Sequence, residues 1–295
     1  MTNKFYKRLF LLPGLLLLIA IIIFPLLFTI RVSMANWNVS QSGLDWAGGA
    51  NWARMFQDGN FWASLFRLLY FSFITTTLQY VLGFAAAMYA WKGFASRRFF
   101  RVLWLVPLMT TPSVMAIVWR SIFREDIGAV NGFLRLFGVD PIAWSTQIFP
   151  AAVTITIAEV WQWTPFMFLI LLAGLLSLPK EQFLSAEIDG ATPWRTFWSI
   201  TFPLMAPISI GAILIRLIEA SKIFDSIFNL TSAGPGSATE TTAYYLYTRG
   251  LREFQISYGA TMGLTYLILA ILTLTILAQL FRNGHNFFCQ MASLI

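Results

Sequence analysis

Glu159, Gln162, Trp163, Phe166, Arg216, Glu219 and Lys222 lie within or at the ends of two of the most apolar stretches of this 295-residue chain. Ionisable side chains are expensive in hydrocarbon, so each needs a partner, a route to the interface or a function. Glu159 stands about 11 residues into a run that begins near 148, roughly 16 Å from its end at about 1.5 Å per residue. Just beyond it, WQWTPF (161–166) sets aromatic faces beside an amide and a carboxylate. A sugar, with apolar C–H faces and a hydroxyl edge, suits that combination; an aromatic packing cluster suits it too. Arg216, Glu219 and Lys222 are spaced three apart and share a helix face. The spacing allows a local Arg216–Glu219 ion pair, or an arginine that holds a carboxylate or phosphate in bidentate fashion. Arg67 and Arg120 lie near span ends, where they can snorkel to the interface.

Other chemistries are closed. One histidine, His285, and one cysteine, Cys289, leave no ordinary Cys/His metal cluster, no intrachain disulfide and no H-E-x-x-H zinc site. No G-x-S-x-G elbow occurs, which argues against an intramembrane enzyme. No G-x-x-x-x-G-K-[ST] loop occurs either, so nothing here cradles a nucleotide's phosphates, and no cofactor is expected in this chain. The net charge of +7 reads as basic residues flanking apolar spans rather than as a nucleic-acid surface.

The elements that must position these residues are membrane helices. Composition is 58% hydrophobic, 17% aromatic and only 11% charged, with mean hydropathy +0.69, too oily for a water-soluble globule. Six spans are expected, at about 9–30, 61–91, 102–123, 148–176, 200–220 and 257–281, forming a single all-α membrane domain over 1–295. The first follows Lys4, Lys7 and Arg8 and is too long for a signal peptide, so it reads as a retained anchor. Ten Lys and Arg residues fall on the side of the N-terminus and seven on the other, and the 92–101 loop holds Lys92, Arg97, Arg98 and Arg101 without an acid. That bias places both termini in the cytoplasm, with outer loops at about 31–60, 124–147 and 221–256.

Between the fourth and fifth spans lies LPKEQFLSAEIDGATPWRTF (178–197), a polar, turn-rich interruption expected on the cytoplasmic side. Ser177 is a candidate cap and Pro179 a first-turn residue for a short helix, with Glu181 at its positive end. Phe183, Leu184 and Ile188 would give that helix an apolar stripe. Asp189-Gly190 would stop it, and Thr192-Pro193 would start the next helix at once. The stripe fits either a docking knob for a cytoplasmic partner or an interfacial helix lying on lipid.

The run AEIDGATPWRTFWSITFPLMAP (186–207) resembles the coupling motif of the membrane subunits of bacterial ABC importers: E-A-A, three residues, glycine, then I-x-L-P after about nine. Gly190 and Ile200 match, Thr201-Phe202-Pro203 stands for x-L-P, and the D-G-A form at 189–191 is that of the carbohydrate branch. LTSAGPGSAT (230–239) and YGATMG (258–263) resemble two further stretches of that branch. Leu184 departs from the pattern, standing where many relatives carry glutamate, so docking would rest on apolar contact, with Glu187 or Asp189 supplying charge.

The resemblance implies an all-α bundle of six transmembrane helices with a cytoplasmic coupling helix at about 177–199, in the bacterial inner membrane. It implies two cytoplasmic ATPases that hold ATP and Mg, a second homologous permease subunit and an extracytoplasmic solute-binding protein. Coupling would fall to Phe183, Leu184, Ala186, Glu187, Ile188, Asp189 and Gly190. The sugar path would run past Gln162, Trp163 and Phe166, and past Arg216, Glu219, Ala220 and Ile223. With Arg216 and Glu159 on that path, the expected cargo is a carbohydrate of oligosaccharide size, and Arg216 points to an acidic type such as a uronate or alginate fragment. The alternatives are a sugar phosphate such as glycerol phosphate, or an ion-coupled carrier in which Glu159 carries a proton.

Overall fold

The structure is a computed structural model that describes residues 2–37, 43–91, 93, 102 and 104–292, with backbone alone at 2–9, 278 and 280–292. The side chains of Lys4, Lys7, Arg8, Lys92, Arg97, Arg98, Arg101 and Arg282, which bear on the expected orientation, therefore lie outside the described residues, as do those of His285 and Cys289.

In hydrocarbon the backbone finds no water, so apolar runs satisfy their own N–H and C=O groups as helices. Five helices among the described residues are long and apolar enough to cross a membrane: Phe10–Ser33, Gly59–Trp91, Ile148–Ser177, Pro193–Ala220 and Ile256–Leu277. They match five of the six expected spans, the fourth of these helices starting earlier because Thr192 and Pro193 open it ahead of the apolar run. The expected span at 102–123 is the exception. It comprises a 3-10 turn at Pro107–Met109, extended backbone at Thr110 and Thr111, and a short helix at Pro112–Ile122. Pro112 disfavours the helical conformation at Thr111 and cannot donate to the ladder, so one long helix is broken there. The all-α expectation also omits a small antiparallel pairing of Ala35–Asn36 with Asp45–Trp46, in register Ala35 to Trp46.

The chain forms two compact units, each drawn from two separated stretches. The first, Met1–Ser64 with Thr242–Ala270, packs Met55, Phe61, Tyr245, Tyr258 and Met262 together. Asp58 organises it: Oδ1 caps the helix that starts at Gly59 by accepting from the N–H groups of Asn60 (3.0 Å) and Phe61 (3.3 Å). Its Oδ2 accepts from the hydroxyls of Tyr245 (2.7 Å) and Tyr258 (2.5 Å). Burial raises the Asp58 carboxyl, but these four hydrogen bonds outweigh it and hold the group below its usual range.

The second unit, Leu65–Thr241 with Ile271–Ile295, carries the residues singled out above. Phe84, Ala87, Met167, Phe168, Leu171 and Met205 form its core. Two glycines set the helix spacing. A Cβ on Gly83 would lie 2.7 Å from the Met167 Cβ, and one on Gly174 would lie 2.9 Å from Ile208 and Met205. Small residues at these crossings let the helix backbones approach, as membrane interfaces favour.

Candidate functional site

Glu159 is a buried carboxylate, 4% exposed, and it does not stand alone. Arg216, on the helix Pro193–Ala220 and 1% exposed, places Nη2 3.1 Å from Glu159 Oε2. The other carboxylate oxygen accepts from the Ser226 hydroxyl. Gln79, fully buried on the helix Gly59–Trp91, accepts from Arg216 Nε at 2.7 Å and donates through Nε2 to the Glu159 backbone carbonyl at 2.9 Å. The Arg216 guanidinium also lies 4.7 Å from the Trp163 ring centroid. Three helices and the segment after the last of them thus converge on one electroneutral cluster, with the charges paired and hydrogen-bonded as burial demands.

This corrects the local pairing expected between Arg216 and Glu219. Glu219 binds Lys222 at 2.9 Å, and both are well exposed. Residues three apart on a helix are offset by about 60°, enough here for Arg216 to face the interior while Glu219 faces outward. Ala220 and Ile223 are buried, and Phe166 is half-buried with its ring 6.4 Å from that of Trp163. Arg67 does not reach outward either: its Nε donates to the Glu240 carbonyl at 2.8 Å, and its Nη2 lies 3.9 Å from the Glu240 carboxylate. Arg120 is exposed, and its Nη1 donates to the Asn229 carbonyl at 3.3 Å.

Gln162 faces another partner. Its Nε2 donates at 2.9 Å to the carbonyl of Thr110, which is available because the backbone is extended at the break before Pro112. Its Oε1 is buried without a hydrogen-bond partner. A buried acceptor in that state has the capacity to take a hydrogen bond from a donor such as a hydroxyl.

The 178–197 interruption forms the expected elbow. A helix runs from Lys180 to Ile188, with Glu181 in its first turn. It ends in a Schellman turn: the Ala191 N–H donates to the Ala186 carbonyl (2.9 Å), the Gly190 N–H to that of Glu187 (3.1 Å), and Gly190 takes φ +70°. Thr192 caps the next helix, its hydroxyl accepting from the Arg195 N–H at 3.4 Å. A π-helical turn at Phe197–Thr201 precedes Pro203, whose missing N–H disturbs the α-helical ladder. Two details differ from expectation. Ser177 does not cap the short helix but turns back to the Gly174 carbonyl at 2.7 Å, and Pro179 is the N-cap residue, so that Leu178, directly before it, is extended. The apolar stripe is split as well: Phe183 packs on Trp91 at 5.2 Å, while Leu184 and Ile188 are 58% and 87% exposed. Ala186 is buried, and Glu187 and Asp189 are exposed.

Sequence reasoning missed Gln79 and Ser226. Gln79 is the single carboxamide in the apolar run 61–91, and that rarity was a usable signal. Ser226 gave none, because a serine in a polar loop is unremarkable.

The fold and cluster define a polytopic membrane protein in which the helices Ile148–Ser177 and Pro193–Ala220, both contributing to the cluster, are joined by the elbow. The chain belongs to the family of binding-protein-dependent transport system inner membrane components, whose model matches residues 79–283. It is a translocation subunit of this ABC importer family and not an enzyme. It is 35% identical to the trehalose/maltose transport system permease protein MalF of Thermococcus litoralis over 231 residues, 78% of each chain. It is 31% identical to a probable ABC transporter permease, y4oQ, of Sinorhizobium fredii, covering 93% of this chain and 90% of that one. It is 28% identical to the sulfoquinovosyl glycerol permease SmoG of Agrobacterium fabrum, over 95% and 92% of the two chains. Among solved structures, a chain of a bacterial ABC transporter involved in import of the acidic polysaccharide alginate matches with TM-score 0.81 at 20% identity, over 95% of this chain and 96% of that one.

Proposed function

We propose that this chain is the carbohydrate-translocating subunit of an ATP-driven importer, working as one permease domain over 1–295 with both termini in the cytoplasm. The observation that carries this reading is mechanical. The helix bearing Glu159, Gln162 and Trp163 and the helix bearing Arg216 are the two that the elbow at Lys180–Thr192 joins. A push on the elbow therefore reaches both walls of the buried cluster. Exposed Leu184 and Ile188 offer the apolar surface for an ATPase, with Glu187 and Asp189 beside them. Nucleotide and Mg belong to the two ATPase partners. A second homologous permease subunit and an external solute-binding protein complete the assembly.

Several residues support a sugar as cargo. Gln162 Oε1 awaits a donor, Trp163 and Phe166 are half-buried, and relatives carry names of sugar systems. Glu159 cancels the Arg216 charge, so a neutral oligosaccharide meets no net field there. The acidic-oligosaccharide or sugar-phosphate reading requires Arg216 to leave Glu159 for the cargo. Its support is a relative named as a glycerol-3-phosphate permease, 27% identical over 91% of this chain. The ion-coupled reading is weakened because Glu159 is committed to Arg216 and Ser226. The test is reconstitution in liposomes with both ATPases, the second permease subunit and the binding protein. Sugar uptake that needs ATP supports the proposal. Uptake that proceeds without ATPases and collapses with an uncoupler overturns it.

A further inference from the structure

A cleft of about 660 Å³ opens in the second unit, walled by the end of the helix Pro112–Ile122, the segments 124–126 and 144–146 and the start of the helix Ile148–Ser177. Arg120, Arg124, Glu125, Trp144, Thr146 and Thr154 line it. Its wall is held in place by Asn131, which is fully buried. The Asn131 Nδ2 donates to the carbonyls of Glu125 (3.1 Å) and Ile142 (2.9 Å), and its Oδ1 accepts from the Ile142 N–H (3.1 Å) and Trp144 Nε1 (2.8 Å). With its amide saturated, Asn131 preorganises the edge of the cleft.

The lining has a definite chemistry. Arg120 uses Nη1 on the Asn229 carbonyl at 3.3 Å and keeps further N–H groups for a ligand. Glu125 receives the Thr146 hydroxyl at 2.9 Å on Oε1, leaving Oε2 for a ligand. Two arginines face two carboxylates here, Glu125 and Asp126, so the lining is electroneutral and gives no net attraction to a phosphate or a lipid headgroup. Planar charged groups of both signs beside an indole suit vicinal hydroxyls and a C–H face, and the volume suits a small saccharide. Thr154 also lies five residues from Glu159 on the same helix, about 7.5 Å along its axis, toward the Ile148 end.

We infer that this cleft is a second carbohydrate-holding site, one that takes a sugar before it reaches Glu159, Gln162 and Trp163. The inference rests on the carbohydrate-permease reading and assigns Arg120 a role in gripping the ligand.

The test uses the reconstituted complex and three probes, maltose, trehalose and trigalacturonate, with Arg120→Gln/Glu125→Gln as the variant and Asp140→Asn, in an exposed loop outside the cleft, as the control. Titration calorimetry without the binding protein reads sugar binding by the membrane complex, and the part lost in the double variant is that of the cleft. The double variant weakens binding of the favoured probe about tenfold and raises its apparent KM for uptake by a similar factor, with maximal rate within twofold. The control and the thermal midpoint are unchanged. Failure of the unmodified complex to bind any probe, or equal affinity in the double variant, overturns the inference. So does a variant that weakens only the docking of the binding protein. Absence of ATP-driven uptake in the unmodified complex removes the importer reading instead, and calorimetric binding lost in the variant still keeps the cleft as a sugar site.

Discussion

Cutting one side of the Glu159–Arg216 pair must destabilise the subunit far more than cutting both. Glu159→Gln preserves shape and the Ser226 contact but leaves a guanidinium buried with only Gln79 and the Trp163 face as partners. Breaking a buried pair from one side costs about 3–5 kcal/mol, whereas replacing both members by uncharged groups is often nearly neutral. Arg216→Met strands the carboxylate in the same way. Each single variant should therefore lower the thermal midpoint by roughly 6–20 °C, at about 2–4 °C per kcal/mol for a chain near this size. The double variant Glu159→Gln/Arg216→Met should recover most of that loss, giving a coupling energy of at least about 2 kcal/mol. Gln79→Leu, which removes the 2.7 Å acceptor of Arg216 Nε, should cost about 1.5–3 kcal/mol. The assay is thermal unfolding of the purified complex in one detergent for all four variants. Additive losses, with coupling below about 0.5 kcal/mol, would refute the buried pair.

Two further outcomes follow from the geometry. The Asp58 carboxyl is held below its usual range, so its contribution is present above about pH 4 and is lost as pH falls through the folded value. Hydrogen exchange at the amides of Asn60 and Phe61 should therefore accelerate on acidification below about pH 4, and Asp58→Asn should flatten that response. Leu184→Asp/Ile188→Asp, at exposed positions, should leave the thermal midpoint of the subunit within about 1 °C while weakening ATPase capture by about 10- to 100-fold per apolar side chain withdrawn. Unchanged capture would remove these two residues from the docking surface.

The sequence made the elbow legible because its signals are local. Gly190 at φ +70° and the Thr192-Pro193 start act within a few residues, and each is where turn chemistry placed it. Five spans were legible for a similar reason, since hydrocarbon imposes length and apolarity on each one separately. The partner of Arg216 was not legible. Glu219 lies three residues away and Glu159 lies 57, and only the packing set by Gly83 and Gly174 brings the distant carboxylate closer than the near one. The break before Pro112 carried a signal, proline inside an apolar run, that hydropathy alone overrode. Its consequence, a free Thr110 carbonyl for Gln162, needed the fold to be seen.

The central claim is that motion of the elbow drives the two helices that hold the buried cluster, and the stoichiometry of sugar moved per ATP hydrolysed tests it most directly. Gly190→Val places a β-branched residue at φ +70°, where only the turn geometry and no neighbouring atom restricts it, so the substitution strains the elbow and spares the packing around it. In proteoliposomes carrying the complete complex, the account predicts that ATP hydrolysis persists while uptake per ATP falls at least about tenfold. Uptake per ATP equal to that of the unmodified complex would contradict it.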